Sequence, residues 1–276
     1  MRFECLEHLE LQRGTQRLSY YDAVRGAVPV LFQHGLCGSA QQTAEAFPDD
    51  NALRLLTLEC RGHGASPAPS PQHISIACFA DDVIALIESL RVAPIILGGI
   101  SMGAAIATRI AVRRPDLVRA MILVRPAWIT DAAPANMQPN AEVGELLAAA
   151  EPNRARELFE QGNTARRLAA EAPDNLASLR GFFERQSHAV TAELLRRISA
   201  DGPEVTPDEM RALTVPALVV GHEADAIHPL AHARRLAALL KRSELAEITP
   251  KSVSREAYVK DLQAVMATFI HKVSHE

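Results

Sequence analysis

The chain has 276 residues, 48% of them hydrophobic, enough to bury one large α/β domain or a core with a modest insertion. Its 29 basic and 33 acidic residues leave a net charge of −4, which gives no electrostatic footprint for nucleic acid or an anionic membrane; the partner to expect is a small-molecule substrate. Four cysteines, at positions 5, 37, 60 and 78, show neither C-x-x-C spacing nor a clustered histidine, so reduced thiols are expected, with no metal and no cofactor. The amino-terminal MRFECLEHLE carries charges where a signal peptide needs an apolar core, and no run approaches the roughly 18 apolar residues of a membrane span. A cytoplasmic protein is the expectation, with the oligomeric state left open.

In chain order, residues 3–11 and 17–24 alternate polar and apolar side chains around Gly14 and predict an antiparallel hairpin at a sheet edge. Residues 29–34, PVLFQH, form the first fully apolar strand, and the glycine-bearing loop HGLCGS follows it. Residues 54–60 read as another buried strand before the loop RGHGAS, in which Arg61 and His63 are expected to hold the loop itself. The segment SPAPSPQ reads as a surface loop, and residues 76–90 carry apolar side chains at helical spacing. Residues 94–97 are a short apolar run bounded by proline and glycine, the pattern of a strand buried on both faces. After Ser101 the period changes: Met102, Ala105, Ile106, Ile110 and Ala111 recur at three- and four-residue spacing up to Pro115. Ser101 therefore lies at a strand-to-helix corner, and Gly99 and Gly103 remove the β-carbons that would crowd it.

This G-x-S-x-G corner, GGISMG, resembles the α/β-hydrolase family. The resemblance implies a mostly parallel sheet flanked by helices, with Ser101 as nucleophile. It also implies that HGLCGS is the oxyanion loop, with the backbone N–H groups of Leu36 and Met102 as the two donors to a tetrahedral intermediate. RGHGAS resembles the loop after the corresponding family strand, where an aspartate is usual and Glu59 stands here.

Residues 119–126 predict a further strand whose carboxyl end carries Arg125, with Trp128 two residues beyond Pro126. Ligands of open parallel sheets bind past the carboxyl ends of strands, so both are candidates for lining the pocket. A buried guanidinium there needs an acidic partner, from the protein or from a substrate carboxylate, and internal ion pairs are the commoner case. Residues 129–210 hold no buried-strand run; amphipathic stretches at 141–150, 155–160, 176–183 and 192–198 alternate with Pro, Asn and Gly breaks. The resemblance implies a helical cap here, dividing the chain into a core of residues 1–128 and 211–276 and a cap of 129–210. Phe159, Phe182 and Phe183 read as packing.

Residues 215–221 resume the strand pattern, and the loop HEADAIHPL follows. Asp225 occupies the position at which the family commonly places the acid of its triad. A helix over 230–240, a strand over 244–248 and a helix over 257–270 complete the chain. The family histidine belongs in the loop after that last strand, but the loop reads TPKSVSRE. The candidate bases are His228 first, since an imidazole has a reference pKa of about 6.5, and Lys251 second, at the place of the absent histidine; His222 in the acid loop and His34 beside the oxyanion loop are the others. His34, Arg125 and Trp128 are the candidates for contacting substrate. Two functions fit: a hydrolase cleaving a small ester, lactone, thioester or activated carbon–carbon bond, or a hydrolase-like fold that binds a ligand or runs another reaction in the same pocket.

Overall fold

The structure, a computed structural model, describes residues 1–275. Eight strands form one sheet: β1 (Glu7–Arg13), β2 (Gln16–Asp22), β3 (Val28–Gln33), β4 (Leu53–Leu58), β5 (Ile95–Ile100), β6 (Val118–Val124), β7 (Ala217–Gly221) and β8 (Ser243–Glu247), in the spatial order β1-β2-β4-β3-β5-β6-β7-β8. The β1–β2 hairpin is antiparallel, β2 runs antiparallel to β4, and all later neighbours are parallel. The expected first strand begins late. β2 stops at Asp22, opposite Glu7, so residues before Glu7 have no strand to pair with; Phe3–Cys5 coil into a 3-10 turn and Phe3 packs on the Tyr21 ring at 5.2 Å.

The parallel strands alternate side chains between two apolar layers, as a sheet covered on both faces must. Leu31, Leu97, Met121, Leu123 and Val219 face one layer, while Val30, Phe32, Ile96, Ile122 and Val220 face the other. The first layer contains α2 (Ile76–Leu90), α3 (Met102–Arg113) and α10 (Leu230–Leu239); the second contains α1 (Ala40–Ala46) and α11 (Arg255–Ser274). No helix among the described residues is long and apolar enough to cross a membrane.

Between β6 and β7 lie α4 (Gln138–Ala149), α5 (Pro152–Gln161), α6 (Asn163–Glu171), α7 (Pro173–Phe182), α8 (His188–Ser199) and α9 (Pro207–Ala212). Proline opens α5, α7 and α9, where its missing N–H costs nothing. α6 was not expected from sequence; it is short, and Ala165 and Leu168 are its buried apolar positions. Phe159 and Phe183 are buried and pack 5.7 Å apart, whereas Phe182 is half-buried. Arg61 binds both oxygens of Asp82 on α2, at 2.6 and 2.9 Å, and fixes the loop after β4.

β5 continues past the expected end at Leu97, because Gly98, Gly99 and Ile100 keep register with Ile122, Leu123 and Val124. The corner that follows is tight. A β-carbon on Gly99 would lie 2.6 Å from the carbonyl carbon of Gly103, and one on Gly103 would collide with the Gln33 backbone. These glycines let α3 start against β3 and β5. Gly103→Ala is therefore expected to destabilise the fold by about 1–3 kcal/mol, the usual cost of overpacking. Urea unfolding would measure it, and an unchanged midpoint would mean that α3 can slide without penalty.

Candidate active site

Ser101 sits between β5 and α3 with φ 56° and ψ −108°, a conformation that costs a non-glycine residue of order 1–3 kcal/mol. The surrounding structure holds it there: its N–H donates to the Val124 carbonyl at 2.9 Å, and its own carbonyl accepts from Ala104 and Ala105. The turn aims Oγ away from the helix and toward the loop after β7, where His228 Nε2 lies 2.9 Å from it.

His228 and Asp225 come from one loop, three residues apart. Asp225 Oδ1 accepts the His228 backbone N–H at 2.9 Å, a local turn that brings the imidazole back over the carboxylate, and Nδ1 lies 3.0 and 3.1 Å from the two carboxylate oxygens. Asn175 of α7 clamps this loop, its Nδ2 donating to Asp225 Oδ1 (3.0 Å) and its Oδ1 accepting from Ala226 N (2.6 Å). Arg125 completes the set, donating from Nε to Asp225 Oδ2 at 2.7 Å and forming an ion pair whose Nη2 lies 2.6 Å from the same oxygen. Burial pushes the Asp225 carboxyl up, but His228 and Arg125 outweigh it and hold it well below the usual carboxylate range. Arg125 thus has its acidic partner within the protein.

One contact decides the tautomer. Arg125 Nη2 also lies 3.1 Å from His228 Nδ1, so this nitrogen faces both a donor and an acceptor. The ionised carboxylate is the stronger claimant because N–H to carboxylate is a charge-assisted bond, while Arg125 already satisfies its charge on Asp225. With Nδ1–H on Asp225, the Nε2 lone pair points at the Ser101 hydroxyl.

The loop after β3 passes on the other side of Ser101. Gln42 of α1 accepts the Gly35 N–H through Oε1 (2.7 Å), and Arg185 donates to the Cys37 carbonyl (2.6 Å). Glu59 is buried and accepts from Ala40 N at 3.0 Å and Ala65 N at 2.6 Å, joining α1 to the loop after β4. Among the described residues, the N–H groups of Leu36 and of Met102, the first residue of α3, have no backbone acceptor.

Four candidates, His34, Trp128, Lys251 and His222, make no hydrogen bond to Ser101. His34 is fully buried, its Nε2 accepting from Cys60 N (3.0 Å) and its Nδ1 donating to Gly35 O (2.8 Å); burial brings its pKa down to about 4, and it neither reaches Ser101 nor lines the cavity there. Trp128 is buried in the core with its indole N–H on the Asp201 carbonyl (2.9 Å), also away from the cavity. Lys251 makes no hydrogen bond to Ser101; its ammonium lies over the Tyr258 ring, 4.7 Å from the centroid. His222 donates from Nδ1 to Glu223 O (2.7 Å) and turns its ring edge to Tyr258.

A cavity of about 240 Å³ opens on Ser101 and His228, bounded by Leu36, Arg125 and Lys251 from the core and by Asn140 and Phe182 from α4 and α7. A larger, more open hollow of about 810 Å³ lies beyond Gly38 and Arg185 and contains none of Ser101, Asp225 or His228. Sequence reasoning missed Asn175, Asn140, Gln42 and Tyr258. Each is a lone polar or aromatic residue on a helix, and only tertiary folding brings it to the site.

Two relatives, both called sn-1-specific diacylglycerol lipase ABHD11, are similar to this chain. The protein from Mus musculus is 33% identical over 123 residues, and that from Xenopus laevis is 31% identical over 172. These matches cover 44% and 59% of this chain and only 38% and 52% of the relatives' own length. Among solved structures, a thermophilic esterase from Thermogutta terrifontis superposes with a TM-score of 0.73 at 21% identity, over 97% of this chain and 99% of the esterase, a likeness of fold. The family profile described as alpha/beta hydrolase fold matches residues 28–251, from the start of β3 to Lys251. A match spanning the serine corner, the helical segment and the acid loop takes in most of the chain, which belongs to the alpha/beta hydrolase family.

Proposed function

We propose that this chain is a hydrolase that cleaves a small ester, lactone or thioester through an acyl-enzyme on Ser101. The single observation carrying this reading is the 2.9 Å contact between Ser101 Oγ and His228 Nε2, backed by Asp225 at Nδ1. Ser101 Oγ attacks the carbonyl while His228 Nε2 takes its proton, and the carbonyl oxygen becomes an oxyanion held by the N–H groups of Leu36 and Met102. Collapse expels the leaving group, which receives the proton from His228. Water then attacks the acyl-enzyme, gives a proton to His228, and Ser101 leaves as the hydroxyl. Asp225 orients the imidazole and stabilises its charged form. The helices between β6 and β7 act as a cap that narrows the way to Ser101, since Asn140 and Phe182 lie on the cavity wall. A fluorophosphonate probe tests the reading: stoichiometric labelling at Ser101 supports it, and an inert protein favours a fold that only binds its ligand.

The pH profile follows from the surroundings of His228. Burial pushes its pKa below the ordinary imidazole value; the Asp225 charge opposes this and the Arg125 and Lys251 charges add to the fall. The base works only when neutral, so on a neutral ester kcat/KM should rise with pH through a limb below about 6.5 and stay flat above it. A limb above about 7 would assign the base elsewhere.

A further inference from the structure

Lys251 is a half-buried cation on the wall of the Ser101 cavity. Among the described residues it has no ion pair and no hydrogen bond; its contact is the face of Tyr258, which steadies an ammonium without removing its charge. The charges of Asp225, Glu45 and Asp174 reach it, but none of the three carboxylates bonds to it. Asp225 is taken by Arg125, His228 and Asn175, Glu45 of α1 pairs with Arg255 at 2.5 Å, and Asp174 at the start of α7 is half-buried and forms no ion pair with Lys251. The cavity lining itself carries Arg125 and Lys251 and no carboxylate, so the wall is positive. The same wall has a second unmet group: Asn140 is only 6% exposed, and its Oδ1 has no hydrogen-bond partner. A buried polar atom without a protein partner is uncommon, and on a cavity wall it is placed to accept from a molecule that fills the cavity.

We infer that the substrate carries a carboxylate, which the Lys251 ammonium holds while the Asn140 side-chain amide meets a polar group of the same molecule. This substrate class rests on the serine-hydrolase reading above and narrows it. Small neutral esters fit the cavity but leave both groups unmet, and a carboxylate replaces the water that Lys251 loses with a charge-assisted bond. Burial, helped by the Arg125 charge, brings the Lys251 pKa down to about 8, so the anchor is charged at neutral pH and fades in more alkaline solution.

The test compares charged esters with their methyl-capped partners. One set comprises the monophenyl esters of succinic, glutaric and adipic acids against the corresponding phenyl methyl diesters. The other is the acetate of 4-hydroxybenzoic acid against that of its methyl ester, which puts the charge on the leaving group. Phenol release by the wild-type protein should favour the free acid by at least about tenfold in kcat/KM in one of these sets, through KM, and Lys251→Met should bring that ratio to near one. Lys251→Arg should keep part of it. A wild-type ratio near one in both sets, or an equal fall on acid and methyl ester in Lys251→Met, overturns the proposal. Ser101→Ala run beside these assays separates the two readings: near wild-type release of the phenol there overturns Ser101 as nucleophile, while the acid-to-ester ratio still reads the Lys251 anchor. Titration calorimetry with the three dicarboxylates, on wild type and Lys251→Met, reads the anchor without turnover: equal affinity for both proteins overturns it.

Discussion

Ser101→Ala should lower kcat/KM on any ester substrate by roughly 10⁵ to 10⁶-fold while leaving the protein folded. Replacing the hydroxyl by hydrogen removes the atom that forms the acyl-enzyme and leaves a pocket of nearly the same shape. The backbone at this corner is held by the Val124 carbonyl and by the first turn of α3, neither of which involves Oγ. Alanine pays the same positive φ that serine pays, so the melting temperature should move little. Residual acceleration should survive, because the N–H groups of Leu36 and Met102 can still polarise a carbonyl for direct attack by water. Ester hydrolysis at saturating and subsaturating substrate, with a thermal melt, measures both parts. Near wild-type turnover in the variant would sink the acyl-enzyme reading.

The fold was legible because its strands are buried on both faces and announce themselves as apolar runs between glycine and proline. Residues 119–126 and 215–221 needed no tertiary information to be recognised. Boundaries were less legible where pairing, and not composition, sets them. Leu6 is as apolar as Leu9, yet it lies outside β1 because β2 offers no residue opposite it. Gly98 and Gly99 look like a strand terminus but continue β5, since a close neighbour needs residues without side chains there.

The site was readable where its chemistry is local and opaque where it is assembled. Ser101 is marked by its two glycines, and Asp225 and His228 share one loop. Arg125 showed itself as a charge ending an apolar strand, and the expected acidic partner is Asp225, 100 residues further along the chain. No spacing rule could connect them. His34 and Trp128 lie away from the cavity for a common reason: each has polar groups bonded to backbone partners, which turns them inward. Lys251 holds the place of the family histidine without a contact to Ser101, and its charge instead opens a question of what it binds.

His228→Ala should cost about 10⁵ to 10⁶-fold in kcat, as much as Ser101→Ala, because nucleophile and base act as one unit, and should erase the acid limb of the pH profile. Asp225→Asn is the sharper experiment, and its expected loss is about 10⁴-fold. The amide no longer offers two charged acceptors, so Arg125 Nη2, 3.1 Å from His228 Nδ1, becomes the better-placed partner of that nitrogen. Nδ1 then accepts from Arg125, the ring proton moves to Nε2, and an N–H points at Ser101 where a lone pair is needed. The same substitution leaves the buried Arg125 guanidinium without its counter-ion, at a cost of about 3–5 kcal/mol in stability. Kinetics should therefore be read below the variant's melting transition. The double variant Asp225→Asn with Arg125→Met separates the two effects, since removing the guanidinium relieves the unpaired charge and its claim on Nδ1. Recovery of both stability and part of the rate in the double variant is the expected result. If the rate instead falls further, by the product of the two single losses, Arg125 acts on the reaction independently of the imidazole.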